Sequence, residues 1–349
     1  MIILGIGLVS HVESILNLCK LKPDEKLIVA TGHYHNQEYV SALMEAASNL
    51  QADAMHIALN SKQGSGANLK SPLTEWGIET FKSADLLIAP GLGEARNPSP
   101  VPHYCDEFCE IMASGTRSID IGTPLPVQRL MFPTEERTKR CFAAADILHK
   151  AETVRITSEA GTDITMSKKG RPGNAQVGFA DVPGSWDNFG WGDINCAPLE
   201  YTATGTLIVE PADIIPTINI WVQDPLKITM KDGYITNIEG GAEARRLQYH
   251  LDSFGEKEGF GTSHIGFGLH EKTTPTHLGS HTHSAYGSVL FAFGKNYGFG
   301  NKLTRYFSFY GERKASSHTH ITVFKHDFYL DDELMVKNGD VVHPSCKLS

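Results

Sequence analysis

Two histidines stand two residues apart in Ser316-Ser317-His318-Thr319-His320-Ile321-Thr322-Val323-Phe324, at the head of a run rich in β-branched and aromatic residues. Such a run reads as a strand, whose successive side chains point to opposite faces. His318 and His320 therefore leave the same face, with Cα atoms roughly 6.5–7 Å apart. That spacing lets two imidazoles converge on one metal ion. A third imidazole is available at His264, in Gly261-Thr262-Ser263-His264-Ile265-Gly266-Phe267-Gly268-Leu269-His270-Glu271-Lys272. Three neutral nitrogens on one face of an octahedron would suit iron or manganese and leave positions open for substrate and O2. Three histidines plus water would equally suit a catalytic zinc. The competing reading of the same spacing is a pair of surface histidines on a half-exposed strand.

Histidine is the one skewed count, at 16 residues, many of them after position 263. A second His-x-His, His281-Thr282-His283, lies in a polar Gly/Ser stretch without strand periodicity, and is expected at a pocket rim or subunit contact. His33 and His35 follow the C-terminal end of the first strand, where α/β sheets often bind ligands. Lacking a partner motif, they read as surface or interface residues. His326, beside Asp327, reads as structural. Near His264 and His318 no matched carboxylate pair for a second metal is evident; Glu271 and Asp327 are the candidate acids, without a matching motif.

The elements that must carry these residues fall into two characters. Over residues 1–150, apolar runs (Leu27–Ala30, Asp85–Ala89, Ile119–Ile121) alternate with helical stretches, Glu38 to Leu50 and one begun by Thr134-Glu135-Glu136. Continuous apolar strands separated by helices predict an α/β domain with a parallel sheet. Residues 151–349 read as a β-rich α+β domain that carries the metal site. Its signals are alternating strands around Glu159-Ala160-Gly161, a hairpin turn at Asp232-Gly233 and a helix from Ala242 to Phe254. Pro183 to Gly192 reads as a Gly- and Trp-rich loop, too aromatic for a mere linker.

The chain has 349 residues, a net charge of -9 and six scattered cysteines without Cys-x-x-Cys. No basic block exists to neutralise nucleic-acid phosphates, no apolar run approaches the ~20 residues of a membrane span, and no basic n-region marks a signal peptide. A cytoplasmic protein with free thiols is expected. Nucleotide-binding glycine loops, a Gly-x-Ser-x-Gly elbow and a His-Glu-x-x-His helix are all missing.

The blocks Ser263–Lys272, Tyr286-Gly287-Ser288-Val289-Leu290-Phe291 and the His318 strand through Tyr329-Leu330-Asp331-Asp332 resemble the 2,5-dihydroxypyridine 5,6-dioxygenase family, itself a divergent relative of the aminopeptidase T metallopeptidases. Upstream, Ser158–Asp163, Val182–Asp187, Lys231-Asp232-Gly233 and Gly115-Thr116-Arg117 extend the likeness. The resemblance implies a mononuclear non-haem Fe(II) site held by His264 and His318, with His320 where the family has the Asp of a His-x-Asp pair. Replacing that acid by histidine removes one negative charge from the metal's surroundings. A second departure lies in the pocket. The family's basic position just after Trp-Asp is Asn188 here, and the region of its substrate base appears as His103-Tyr104.

The expected activity is cleavage of a hydroxylated aromatic or N-heteroaromatic ring by an Fe(II)-dependent, extradiol-type dioxygenase. Its partners are the aromatic substrate and O2, and the chain is expected to form a homo-oligomer. His103 or Tyr104 is the expected acid/base, and Trp186 and Asn188 the expected substrate contacts. The alternative is a single-metal Zn or Mn hydrolase on the same ligands, in which the ion lowers the pKa of a bound water. A non-catalytic metal-binding protein is the third possibility, and would show no open coordination position.

Overall fold

The computed structural model describes residues 2–32, 35–59, 73–91, 106–273, 280–297 and 311–348. These form two compact units. The first draws on Met1–Phe132 and Gly178–Gly190, the second on Pro133–Val177, Trp191–Gly298 and Ser308–Ser349.

The first unit is α/β. Helices α1 (Ile2–Leu18), α2 (Gln37–Asn49), α3 (Glu75–Lys82), α4 (Asp106–Ala113) and α5 (Leu125–Leu130) accompany strands β1 (Lys26–Thr31), β2 (Asp53–Ala58), β3 (Leu86–Pro90) and β4 (Arg117–Ile121). A fifth strand, β8 (Trp186–Asn188), completes a parallel sheet in the order β2-β1-β3-β4-β8. Strands β3 and β4 are buried at every residue, as a sheet covered on both faces requires. The opening apolar run forms α1, which the sequence reading had not assigned. Its Leu8, Val12, Ile15 and Leu16 recur at helical spacing and pack with Leu27, Val29, Leu43 and Ile88.

The centre of the Pro183–Gly192 stretch is therefore a strand rather than a loop. Its aromatic content has a packing reason. Trp186 is 2% exposed, meets Phe108 edge-on at 6.2 Å, and its indole N–H donates to Asp120 Oδ2 at 3.4 Å.

The second unit contains α6 (Glu135–Lys150), α7 (Ala242–Asp252) and two antiparallel sheets. Thr134 caps α6 by accepting from the Arg137 N–H. One sheet joins β5 (Thr153–Thr157), β6 (Asp163–Ser167), β10 (Thr204–Val209), β13 (Leu226–Lys231), β14 (Tyr234–Glu239), β18 (Asp327–Leu330), β19 (Glu333–Lys337) and β20 (Asp340–Val341). The β13–β14 hairpin turns at Asp232 (φ 50°) and Gly233 (φ 78°), the two left-handed positions a tight right-twisted hairpin demands.

The other sheet joins β7 (Asn174–Gln176), β9 (Asp193–Cys196), β11 (Ile214–Ile215), β12 (Ile220–Trp221), β15 (Thr262–Gly268), β16 (Val289–Gly294) and β17 (His318–Val323). Its order is β12-β11-β17-β16-β15-β9-β7. The two sheets meet through Phe267 and Phe328, whose rings lie edge-on 5.2 Å apart. A parallel α/β unit and an antiparallel, β-rich one are the class the sequence predicts. Among the described residues, no helix is long and apolar enough to cross a membrane.

Candidate metal centre

Register divides the seven-stranded sheet into two unlike faces. Ile194, Cys196, Ile265, Phe267, Val289, Phe291, Ile321 and Val323 pair across neighbouring strands and share an apolar face. Their alternates are Asp193, Asn195, His264, Gly266, Gly268, Leu290, Ala292, Gly294, His318, His320 and Thr322. This second face is mostly polar or side-chain-free, yet it is buried throughout except for a half-buried His320. Burying so many polar groups is costly without partners, which singles this face out.

His264 directly precedes Ile265 on β15, so strand alternation places it on the face of His318 and His320. A β-bulge between Thr262 and Ile265 inserts one residue on β15 relative to β16 in this stretch. No residue pattern in Gly261–Gly268 announces this bulge. His318 and His320 share the face by the alternation expected of their strand. Beyond the short β11, the outer edge of β17 is closed by Thr217, whose hydroxyl accepts the His320 N–H at 2.8 Å.

The three rings meet. His264 and His318 stack with centroids 5.0 Å apart, and His320 stands edge-on to them at 5.2 and 4.5 Å. One nitrogen from each lies within 4.8 Å of the other two. Nε2 of His318 and Nε2 of His320 are 2.9 Å apart. That is a hydrogen-bond length, and it also matches the roughly 3 Å edge between two neighbouring nitrogens bonded to one ion at about 2.0–2.1 Å. His264 and His318 are buried, at 2% and 5% exposure, and the His318 strand is buried but for the half-buried His320, which argues against a half-exposed strand of surface histidines.

Protonation states suit ligation. Burial, and next the positive charge of a protonated His318, holds His264 well below the usual imidazole range. A neutral ring keeps a lone pair for a cation. His318 Nδ1 lies 3.0 Å from the Lys295 carbonyl, which also accepts Ser263 Oγ at 2.6 Å. An Nδ1–H held by a carbonyl leaves Nε2 as the donor atom.

His283 is the residue whose role the sequence did not reveal. It is fully buried rather than at a pocket rim or subunit contact, and its Nε2 lies 3.1 Å from His320 Nδ1. On its other side, Nδ1 lies 2.7 Å from Thr322 Oγ1, and Trp191 meets the ring edge-on at 5.7 Å. The 3-10 turn that carries it, Ser280–Ser284, is tied down by Ser284 Oγ, which donates to Asp193 Oδ2 at 2.8 Å. Burial pushes the Asp193 carboxyl up to about 7, opposed by its Ser284 and Asn195 hydrogen bonds.

The two candidate acids are committed elsewhere. Glu271 accepts from Arg137 (Nη2, 2.7 Å) and Arg140 (Nη2, 2.6 Å). Although burial pushes the Glu271 carboxyl up, the Arg137 hydrogen bonds outweigh it and hold the group at about 2. Asp327 accepts from Lys337 and from the Asn338 N–H, each at 2.7 Å. Among the described residues, the three histidines are the one group arranged to hold a metal. Trp186 and Asn188 belong to the parallel sheet of the first unit, where Asn188 pairs with Asp120. His103 and Tyr104 lie outside the described residues.

Comparison with known proteins agrees with the resemblance seen in the sequence. A family model described as 2,5-dihydroxypyridine 5,6-dioxygenase matches residues 7–343. The 2,5-dihydroxypyridine 5,6-dioxygenase of Pseudomonas putida KT2440 is 30% identical over 343 residues, covering 95% of each chain. The solved structure of 2,5-dihydroxypyridine dioxygenase from that organism superimposes with a TM-score of 0.87 at 28% identity, covering 98% of this chain and 99% of that one. Wild-type AmpT from Thermus thermophilus shares the fold, with a TM-score of 0.62 at 12% identity over 96% of this chain and 99% of its own. Sequence and architecture thus agree along nearly the whole length, and the chain belongs to the 2,5-dihydroxypyridine 5,6-dioxygenase family.

Proposed function

We propose that this protein is an Fe(II)-dependent, extradiol-type ring-cleaving dioxygenase acting on a hydroxylated aromatic or N-heteroaromatic compound, with His264, His318 and His320 as the metal ligands in the β-rich part of the chain. The observation that carries the reading is the convergence of three imidazoles, two buried and one half-buried, on one sheet face in a member of a dioxygenase family. Bound there, Fe(II) would supply a redox-active centre with coordination positions left open by three protein ligands.

The chain's own residues have distinct tasks in this scheme. Ser263 and the Lys295 carbonyl orient His318. The neutral ligand set favours a substrate that brings its own negative charge, as a phenolate or carboxylate would. Trp186 and Asn188 are assigned to substrate contact, and His103 or Tyr104 to proton transfer. A substrate somewhat different from 2,5-dihydroxypyridine follows from Asn188 and His320, which depart from the family pattern. The working form is a cytoplasmic homo-oligomer.

Anaerobic purification with metal analysis and O2-uptake assays on candidate diols tests the proposal. Iron bound at one per chain, its loss in His320→Ala, and O2 consumed with ring opening support it. Metal content unchanged by His320→Ala would overturn the ligand set. Turnover of a peptide or ester without O2 uptake would favour the Zn or Mn hydrolase instead.

A further inference from the structure

We propose that His283, backed by Thr322, is the positioning residue that makes a histidine usable as a ligand at position 320, by accepting the His320 Nδ1 proton and so presenting Nε2 to the metal. The inference rests on the metal reading above and assigns a role to two residues outside the ligand set.

An imidazole ligand has a requirement that a carboxylate lacks. An ionised carboxylate offers lone pairs on both oxygens, whereas a neutral imidazole offers one lone pair and carries a proton on its other nitrogen. When taken out of water, that N–H needs an acceptor to offset its desolvation. For His318 the acceptor is the Lys295 carbonyl. For His320 the group facing Nδ1 is His283 Nε2, at 3.1 Å.

His283 Nε2 can accept only when the ring's own proton sits on Nδ1. Thr322 Oγ1, 2.7 Å from that Nδ1, stands where it can take the proton. The resulting chain runs from His320 Nδ1–H to His283 Nε2, then from His283 Nδ1–H to Thr322 Oγ1. It leaves the His320 and His318 Nε2 lone pairs directed at each other across 2.9 Å, an arrangement that a cation between them stabilises.

The fold holds this relay in place. Thr322 lies two residues beyond His320 on the same strand, so strand alternation sets their spacing. His283 is 0% exposed, its carbonyl accepts Ser288 Oγ at 2.9 Å, and the Trp191 ring closes one side.

The test is anaerobic titration of the metal-free full-length protein with Co(II), read by visible ligand-field absorption against a competing chelator. His283→Leu should weaken Co(II) binding ~10–100-fold, the usual cost of removing an outer partner of a ligating histidine. His283→Gln, whose amide oxygen can accept the Nδ1 proton, should recover most of that loss, and Thr322→Val should lie between. Unchanged affinity in His283→Leu overturns the inference while leaving the metal reading intact. A wild-type chain that binds no Co(II) overturns both. Should the leucine variant fail to fold, nitrogen-15 NMR of the zinc-loaded wild type decides alone. His320 protonated at Nδ1 and bound through Nε2 supports the relay, and the opposite tautomer overturns it.

Discussion

Ala292 pairs directly with His320 across β16 and β17, on the strand that separates His264 from the His-x-His pair. Directly paired side chains have Cβ atoms about 4.5–5.5 Å apart, so residue 292 sets how much room the imidazoles have. A methyl group is all that stands there, and Gly294 opposite His318 adds nothing. Ala292→Leu should fill the space between the ligand strands and cut iron or cobalt content below half. The strain of overpacking should cost only about 1–3 kcal/mol of stability. Ala292→Ser should keep its metal. Metal analysis alongside thermal unfolding separates the two effects, and full loading of the leucine variant would count against this face as the site.

Glu271 is a structural anion. It neutralises Arg137 and Arg140, which are 1% and 7% exposed. Glu271→Gln removes the counter-charge that Arg137 and Arg140 share, although Arg140 keeps Glu136 at 3.0 Å. It should destabilise the fold by about 3 kcal/mol, the low end for breaking a buried pair, since Glu271 keeps 23% of its side chain exposed. The carboxyl's depressed pKa means this stability is present above the ordinary carboxylate range and lost as pH falls toward about 2. Chemical denaturation at neutral pH measures the loss. Metal stoichiometry should stay at one per chain, whereas a fall to half of a two-metal count would revive Glu271 as a ligand.

Acid sensitivity should come in part from His326. Burial pushes its imidazole down to about 4, against an Ile208 backbone hydrogen bond and the Asp327 charge. The unfolded chain takes up a proton below about 6.5, while the folded one resists until about 4. Stability is therefore complete above about 6.5 and falls as the pH drops through that window. At about 1.4 kcal/mol per pH unit, the contribution of His326 should fall by roughly 2 kcal/mol by pH 5. His326→Gln does not titrate and can still bond to Thr162, the present partner of Nε2 at 2.9 Å, so it should keep that stability. Asp213, pushed up to about 7 by burial, slopes the other way but is common to both proteins. Urea midpoints from pH 5 to 7.5 provide the comparison. Parallel curves for the two proteins would remove His326 from the account.

What was legible in the chain was local. Strand alternation put His318 and His320 on one face, Asp232-Gly233 marked its hairpin, and Thr134 marked the start of α6. What was not legible depended on partners distant in sequence. The β15 bulge beside His264 exists only relative to β16. Trp186 looked like a loop aromatic because the strand that buries it, β4, lies more than sixty residues upstream. His283 gave no periodic signal because a 3-10 turn, anchored by Asp193 through Ser284, carries it. The polar composition of His281–Ser284 suggested exposure, whereas the residues are buried and hydrogen-bonded.

His320→Asp is the most discriminating substitution at the site. It restores the acid that the family resemblance implies, so the protein part of the site would carry one negative charge instead of none. His320→Ala should lose metal, since two imidazoles remain of three. His320→Asp should retain it, with Co(II) affinity at least equal to the wild type, because an anionic oxygen attracts a dication more strongly than a neutral nitrogen. The carboxylate also needs no tautomer, so His283 loses its function as proton acceptor. Removing His283 in the His320→Asp background should therefore change Co(II) affinity less than ~3-fold, against ~10–100-fold in the wild type. The difference is a coupling between positions 283 and 320, measurable by a double-mutant cycle. Equal losses in the two backgrounds would mean that His283 acts on the metal by general packing and not through the His320 proton.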